Sequence, residues 1–197
     1  MSERLILSTR NDHKVREFAR LTGGRLALDP LPPEVTLPPE DGDSFVANAL
    51  GKARAAAAAT GRAAIADDSG VEAEALGGRP GIHSARFAGP GASDEQNLAK
   101  LLAEAPAGSG LRYVCAIAFV DPVEQVEHVV EGYCSGTLAA RPSGAGGFGY
   151  DPAFIPADEL PDGAPGRTMA ELTDAEKDAI SHRGRALRAF AEWLDGR

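Results

Sequence analysis

"AIADDSGVEAEALGGRPGIHSARFAG" occupies residues 64–89. It opens on small apolar residues typical of a buried strand, and the run from Ala63 to Ala66 is read as a strand ending at Asp67-Asp68. Burying charge is costly unless it is paired, so two adjacent carboxylates there ask for a reason. Successive strand residues face opposite ways, which predicts a division of labour between the two aspartates. One would hold a hard cation such as Mg²⁺, which takes oxygen ligands and keeps several waters. The other would support the turn. The plain alternative is a strand-terminal Asx turn through Asp-Asp-Ser-Gly, and the dipeptide alone does not choose.

Outward from this stretch, strands and helices are mixed. Residues 4–10, "RLILSTR", read as a buried strand, and 12–24 as a helix stopped by Gly23-Gly24. Five prolines in 29–42 exclude a central strand or a helix interior, leaving an extended connection. Residues 43–61 are helical, capped by Asp43 or Ser44 and ended by Gly61. A second helix covers 93–105, where Ser93 and Gln96 have capping-box spacing. Residues 111–120 and 125–138 read as paired strands joined through Asp121-Pro122, and 173–193 as helix-forming sequence opened by Thr173 and Glu176. The chain is therefore α/β, read as one domain over residues 1–197.

Composition narrows the function. Twenty Lys and Arg against 29 Asp and Glu leave a net charge of −9. That balance argues against sequence-independent binding of a nucleic-acid polymer, which needs a basic face. Cys115 and Cys134 lack zinc or disulfide-framework spacing and read as buried thiols. No run approaches the roughly 18 apolar residues of a membrane span, and Met1 leads into a strand-like run, so a cytoplasmic protein without membrane association is expected.

Three further clusters carry chemical potential. "STRNDHK" (8–14) is a polar turn entering a helix, where free backbone N–H groups and Lys14 would suit a phosphate. It lacks the P-loop pattern, and an ordinary turn is the alternative. In "SGAGGFGYDPAF" (143–154), Gly144, Gly146 and Gly149 match G-x-G-x-x-G, but Pro152 follows too closely for a helix, so a dinucleotide fold is rejected. Phe148 and Tyr150 there suit stacking on a flat ring or plain core packing. "EKDAISHRG" (176–184) gathers Lys177, His182 and Arg183, either a donor set or a solvated helix face.

Together "LSTRNDHKVREF", "GDSFVANALGKA", the opening stretch, "GGFGYDPAF" and "ELTDAEKDAISHRGRAL" resemble, in order over about residues 5–190, the inosine/xanthosine triphosphate pyrophosphatases. The resemblance implies an elongated mixed central sheet with flanking helices, two lobes around a nucleotide cleft, and a homodimer. It implies Mg²⁺-dependent hydrolysis of ITP, dITP or XTP to the monophosphate and pyrophosphate. On this sequence it assigns the triphosphate grip to Thr9, Arg10, Asn11, Asp12, His13 and Lys14, with Lys52 neutralising phosphates. Asp68 becomes metal ligand and general base, although water activated by the cation itself is the alternative, and Glu40 a second metal carboxylate. Ser69 would touch substrate, while Phe148, Gly149, Tyr150, Asp151, Lys177, His182 and Arg183 would hold the nucleoside.

The chain departs from the family pattern at Arg10, where a glycine is usual, at His83, where tyrosine is common, and in a longer loop over 156–166. A positive φ at position 10 would strain an arginine. Two rival readings remain: a pyrophosphatase for modified pyrimidine triphosphates, disfavoured by the Ser-His-Arg-Gly block, and a non-catalytic nucleotide sensor, disfavoured by the intact carboxylates.

Overall fold

A computed structural model describes residues 4–158 and 166–197. Most of the long loop expected over 156–166, namely 159–165, lies outside the described residues. The elements run β1 (Leu5–Leu7), α1 (Asp12–Thr22), β2 (Leu28–Pro30), α2 (Phe45–Thr60), β3 (Ala64–Ala73), α3 (Asp94–Glu104), β4 (Gly110–Asp121), β5 (Val126–Leu138), β6 (Phe154–Pro156), α4 (Asp174–Ile180) and α5 (His182–Asp195). The strands form one six-stranded sheet in the order β2-β1-β3-β4-β5-β6. β1 runs parallel to β2, with Leu5 opposite Leu28, and to β3, with Ile6 opposite Ala64. β5 and β6 are antiparallel, Gly136 opposite Pro156, so the sheet is mixed and the α/β expectation holds.

Local chemistry accounts for the helix ends. The Asn11 side chain accepts hydrogen bonds from the His13 and Lys14 backbone N–H groups, and Gly23 stops α1 in the left-handed region at φ 52°. Ser44 caps α2 by accepting from Ala47 N–H, and Ala49, Ala53, Ala56 and Ala57 form its buried face. The capping boxes at Ser93–Gln96 and Thr173–Glu176 are both present. From the proline-rich connection, β2 uses only Leu28–Pro30, at the sheet edge where proline is tolerated.

Two sequence expectations need correction. β3 does not end at Asp67-Asp68 but continues to Ala73. The aspartates do not break it because each has a cationic partner, and small Ser69 and Gly70 lead back into buried Val71 and Ala73. The C-terminal helical stretch is also interrupted. Ser181 takes extended backbone at ψ 152° and its Oγ accepts from Gly184 N–H, closing α4 and capping α5.

The chain divides into two compact units. The first comprises residues 1–68, 115–131 and 186–197, with a core including Leu5, Leu7, Phe18, Ile65, Ile117, Phe119 and Phe190. The second comprises residues 69–114 and 132–185, with a core including Val71, Leu101, Tyr113, Leu138, Phe154 and Met169. The division falls between Asp68 and Ser69. Each unit carries its own group of the side chains singled out in the sequence.

Candidate functional site

In the first unit, buried charge is organised around two lysines. Residues four apart on a helix share a face, which places Asn48 and Lys52 of α2 together toward β3. Lys52 Nζ lies 2.5 Å from Glu40 Oε1 and 3.7 Å from Asp68 Oδ1. Asn48 Nδ2 donates to Asp68 Oδ2 at 2.9 Å. Asp67 turns to a different cation, Lys14 Nζ, at 3.0 Å. The two neighbouring carboxylates thus meet different partners, as strand alternation requires, although in mid-strand. Two tethers set the frame: Ser8 Oγ donates to the Lys52 carbonyl at 2.9 Å, and Gly42 N–H donates to Asn48 Oδ1 at 2.9 Å. A Cβ on Gly42 would stand 2.7 Å from that oxygen, so the connection needs glycine to reach Asn48.

Proton affinities follow from this packing. Burial pushes the Asp68 carboxyl above its ordinary value; Lys52 opposes the shift and Glu40 reinforces it. For Lys52 burial works to depress the ammonium, but Asp67, Asp68 and Glu40 outweigh it and the result is raised. Burial would raise Glu40 too, yet its contact with Lys52 holds it below the ordinary value. Glu40 and Asp68 offer only oxygen donors and bracket one ammonium, and Glu40 keeps 34% of its side chain exposed. A hard cation that retains its waters is served by one or two such carboxylates, so the donors fit Mg²⁺. Among the described residues no cluster of three His, Cys, Asp or Glu is arranged for a metal.

The turn before α1 distributes its residues differently. Asn11 spends its side-chain oxygen on the helix cap, and Thr9 Oγ1 accepts from Asn11 N–H at 3.2 Å. His13 Nδ1 lies 3.0 Å from Arg16 Nη2, and Asp12 is exposed. Arg10 has no left-handed backbone, so the feared strain is absent. Its guanidinium donates to the carbonyls of Leu31 at 2.8 Å, Pro32 at 2.6 Å, Pro33 at 3.3 Å and Val35 at 3.0 Å. It ties the turn to the connection that leads to Glu40.

In the second unit the centre is Asp151. Its Oδ1 accepts from the Tyr113 hydroxyl at 3.0 Å, and its Oδ2 from Lys177 Nζ at 2.8 Å and Phe148 N–H at 2.9 Å. Lys177 Nζ and Arg183 Cζ stand 5.4 and 5.9 Å from the Phe148 ring centroid. Arg183 Nη2 donates to Ser69 Oγ at 2.8 Å, and Gly149 N–H to Asp94 Oδ2 at 2.9 Å. The His182 ring stacks on Tyr113 with centroids 4.5 Å apart. Tyr150 is buried with its hydroxyl on the Ser84 carbonyl at 2.8 Å, whereas Phe148 is only half-buried. His83 is exposed in the short turn 81–86.

Gly149 takes a left-handed backbone at φ 63°, and Gly144, Gly146 and Gly147 have a packing explanation. A Cβ at Gly147 would fall 2.0 Å from Asp151 Oδ2, and one at Gly144 would fall 2.5 Å from the Ala170 carbonyl. Gly146 N–H donates to that carbonyl at 2.9 Å. Close approach to a neighbouring turn and to a carboxylate, not a dinucleotide, demands them. Sequence reading missed Asn48 and Tyr113. Asn48 was accessible from its i, i+4 spacing to Lys52; Tyr113 gave no such signal.

Comparison with known proteins places this geometry in context. A family model described as the Ham1 family matches residues 5–193. A dITP/XTP pyrophosphatase of Symbiobacterium thermophilum is 50% identical over 98% of this chain and 95% of its own. One from Yersinia pseudotuberculosis is 44% identical over 98% of both. Among solved structures, a HAM1 protein from Coxiella burnetii superposes with a TM-score of 0.83 at 36% identity, covering all of both chains.

Proposed function

The chain belongs to the Ham1 family, and from that premise we propose that it is a nucleoside-triphosphate pyrophosphatase. It hydrolyses purine triphosphates bearing a 6-carbonyl (dITP, XTP and ITP) to the monophosphate and pyrophosphate. The observation that carries this reading is the charge group in which buried Asp68, Lys52 and Asp67 meet the partly exposed Glu40 and Lys14. Two ammonium groups neutralise phosphate oxygens. Asp68, its proton affinity raised by burial, takes the proton of the attacking water. The water oxygen bonds to the α-phosphorus, the α–β anhydride bond breaks, and pyrophosphate leaves. Glu40 and Asp68 would hold Mg²⁺, which supplies charge stabilisation to the phosphates when bound. Orienting the phosphates and neutralising their charge are what such a hydrolysis needs most.

The group around Asp151 serves the base. Hypoxanthine and xanthine present an acceptor at position 6, where adenine presents a donor. Lys177, His182 and Arg183 supply donors that satisfy the former and oppose the latter. A site built around a buried hydrogen bond discriminates by about 10⁴-fold or more. Phe148, with Gly149 and Tyr150 shaping its loop, offers the ring face, and Ser69 a hydroxyl. We place the enzyme in the cytoplasm as a homodimer acting on free nucleotides; net charge −9 disfavours a nucleic-acid polymer, and no described helix is long and apolar enough to cross a membrane.

The test is product analysis by ion-exchange chromatography with Mg²⁺ and dITP, XTP, ITP, GTP, ATP or dTTP. The proposal expects monophosphate plus pyrophosphate from the first three at rates at least about 100-fold above ATP, a conservative fraction of the discrimination such a site allows. Release of single phosphates, or equal turnover of dTTP, would count against it.

A further inference from the structure

Tyr113 lies 38 residues from Asp151 in sequence and is buried beneath the group assigned to the base. It makes two contacts of different kinds. Its hydroxyl donates to Asp151 Oδ1 at 3.0 Å, the oxygen opposite the one that receives Lys177 and Phe148 N–H. Its ring stacks with the His182 imidazole at 4.5 Å and 15°, and with Phe154 at 4.2 Å and 20°. A carboxylate held on both oxygens has little freedom to rotate, and an imidazole laid flat on a fixed ring keeps the direction of its nitrogens. Phe154 is itself fully buried, so the stack rests on the core.

We propose that Tyr113 is a positioning residue for base selection: one buried side chain fixes the Asp151 carboxylate by its hydroxyl and the His182 ring by its face. The inference rests on the reading that Asp151, Lys177 and His182 meet the purine. Through Asp151 it also sets where the Lys177 ammonium and the Phe148 backbone stand. Loosening either contact spreads the orientations of donors that must meet a 6-carbonyl. Binding of the correct base then weakens while rejection of the wrong one relaxes, and the phosphate chemistry, carried by other residues, is left intact.

Tyr113→Phe keeps the ring and removes only the hydroxyl; Tyr113→Leu removes both contacts. Steady-state pyrophosphate release is measured for both variants with dITP and dATP, beside wild type, His182→Ala and a packing control, Phe154→Leu. Tyr113→Phe should raise KM for dITP about tenfold with kcat within about threefold, and cut the dITP/dATP preference by about tenfold, in line with losing one hydrogen bond to a charged acceptor. Tyr113→Leu should cut the preference by about a further tenfold. Phe154→Leu should lower the melting temperature but keep the preference.

Three results overturn the proposal, and they are distinguishable. Unchanged selectivity in folded Tyr113→Phe, with selectivity lost in His182→Ala, removes Tyr113 alone. Equal erosion of selectivity by Phe154→Leu shows a general softening of the core. Full selectivity in His182→Ala removes the base-end reading and the proposal with it.

Discussion

Asp67 and Asp68 are neighbours in the chain yet answer to different cations, Lys14 and Lys52. Asp68 has the environment of a base: buried, hydrogen-bonded by Asn48, and raised in proton affinity by that burial. Asp68→Asn keeps the shape and an oxygen for Asn48 but gives up the basic oxygen. Pyrophosphate release should fall by about 10²- to 10⁴-fold, with little change in melting temperature. An assay retaining more than about a tenth of the activity would assign the proton to another group. Cys134 gives a second test. Burial, with help from Asp158, pushes its thiol up to about 12, against an ordinary value of 9.0. A raised folded-state value stabilises the fold below pH 9.0, and this contribution is lost as pH rises toward 12. At pH 9 a disulfide reagent should label Cys134 in native protein at least about tenfold more slowly than in denatured protein. The acidic pair, Lys14 and the Lys177–Arg183 group were legible in the sequence because residue type alone suggests their chemistry; Lys52 and Glu40 entered only through the family resemblance. Asn48 and Tyr113 act across 20 and 38 residues of chain; Asn48 left a local trace in its i, i+4 spacing to Lys52, whereas Tyr113, whose role is a long-range contact, left none.

At the scale of elements, caps and periodicity announced most of the helices, and apolar runs announced β1, β3, β4 and β5 but not the three-residue strands β2 and β6. Two boundaries were hidden for physical reasons. β3 passes through the aspartates because partners on α1 and α2 neutralise them, a fact of packing that no reading of residues 63–70 contains. The break at Ser181 sits inside good helix-forming sequence and is made by one hydroxyl capping the next helix. Arg10 illustrates the same lesson. In place of a glycine expected for backbone reasons, its guanidinium gathers the carbonyls of the 31–35 segment. Arg10→Ala should raise amide hydrogen exchange in residues 31–40 by about tenfold, equivalent to about 1.4 kcal/mol of local stability. Exchange unchanged there would show that the prolines alone hold the connection. Ser44→Ala, removing the α2 cap that precedes Asn48 and Lys52, should cost about 1 kcal/mol in urea unfolding.

Across the whole molecule, the boundary between the two compact units falls immediately after Asp68, so β3 carries the residue proposed for the phosphate chemistry and then Ser69, which accepts from Arg183. The fold class was readable from the alternation of strands and helices; the strand order and the division into units were not, since both depend on contacts far apart in sequence. The carboxylates of the first unit are already paired with Lys14 and Lys52, so the proposed reading predicts a cation that serves turnover and not folding. Chelation should abolish activity, restored by Mg²⁺, and shift the melting temperature by less than about 2 °C, under 1 kcal/mol. A large fall in melting temperature would mean the metal is structural. The most direct test of the central claim is hydrolysis of dITP in ¹⁸O-labelled water, followed by mass spectrometry of both products. Attack at the α-phosphorus puts the label in the monophosphate. Label in the pyrophosphate would mean attack at the β-phosphorus and would contradict the role given to Asp68.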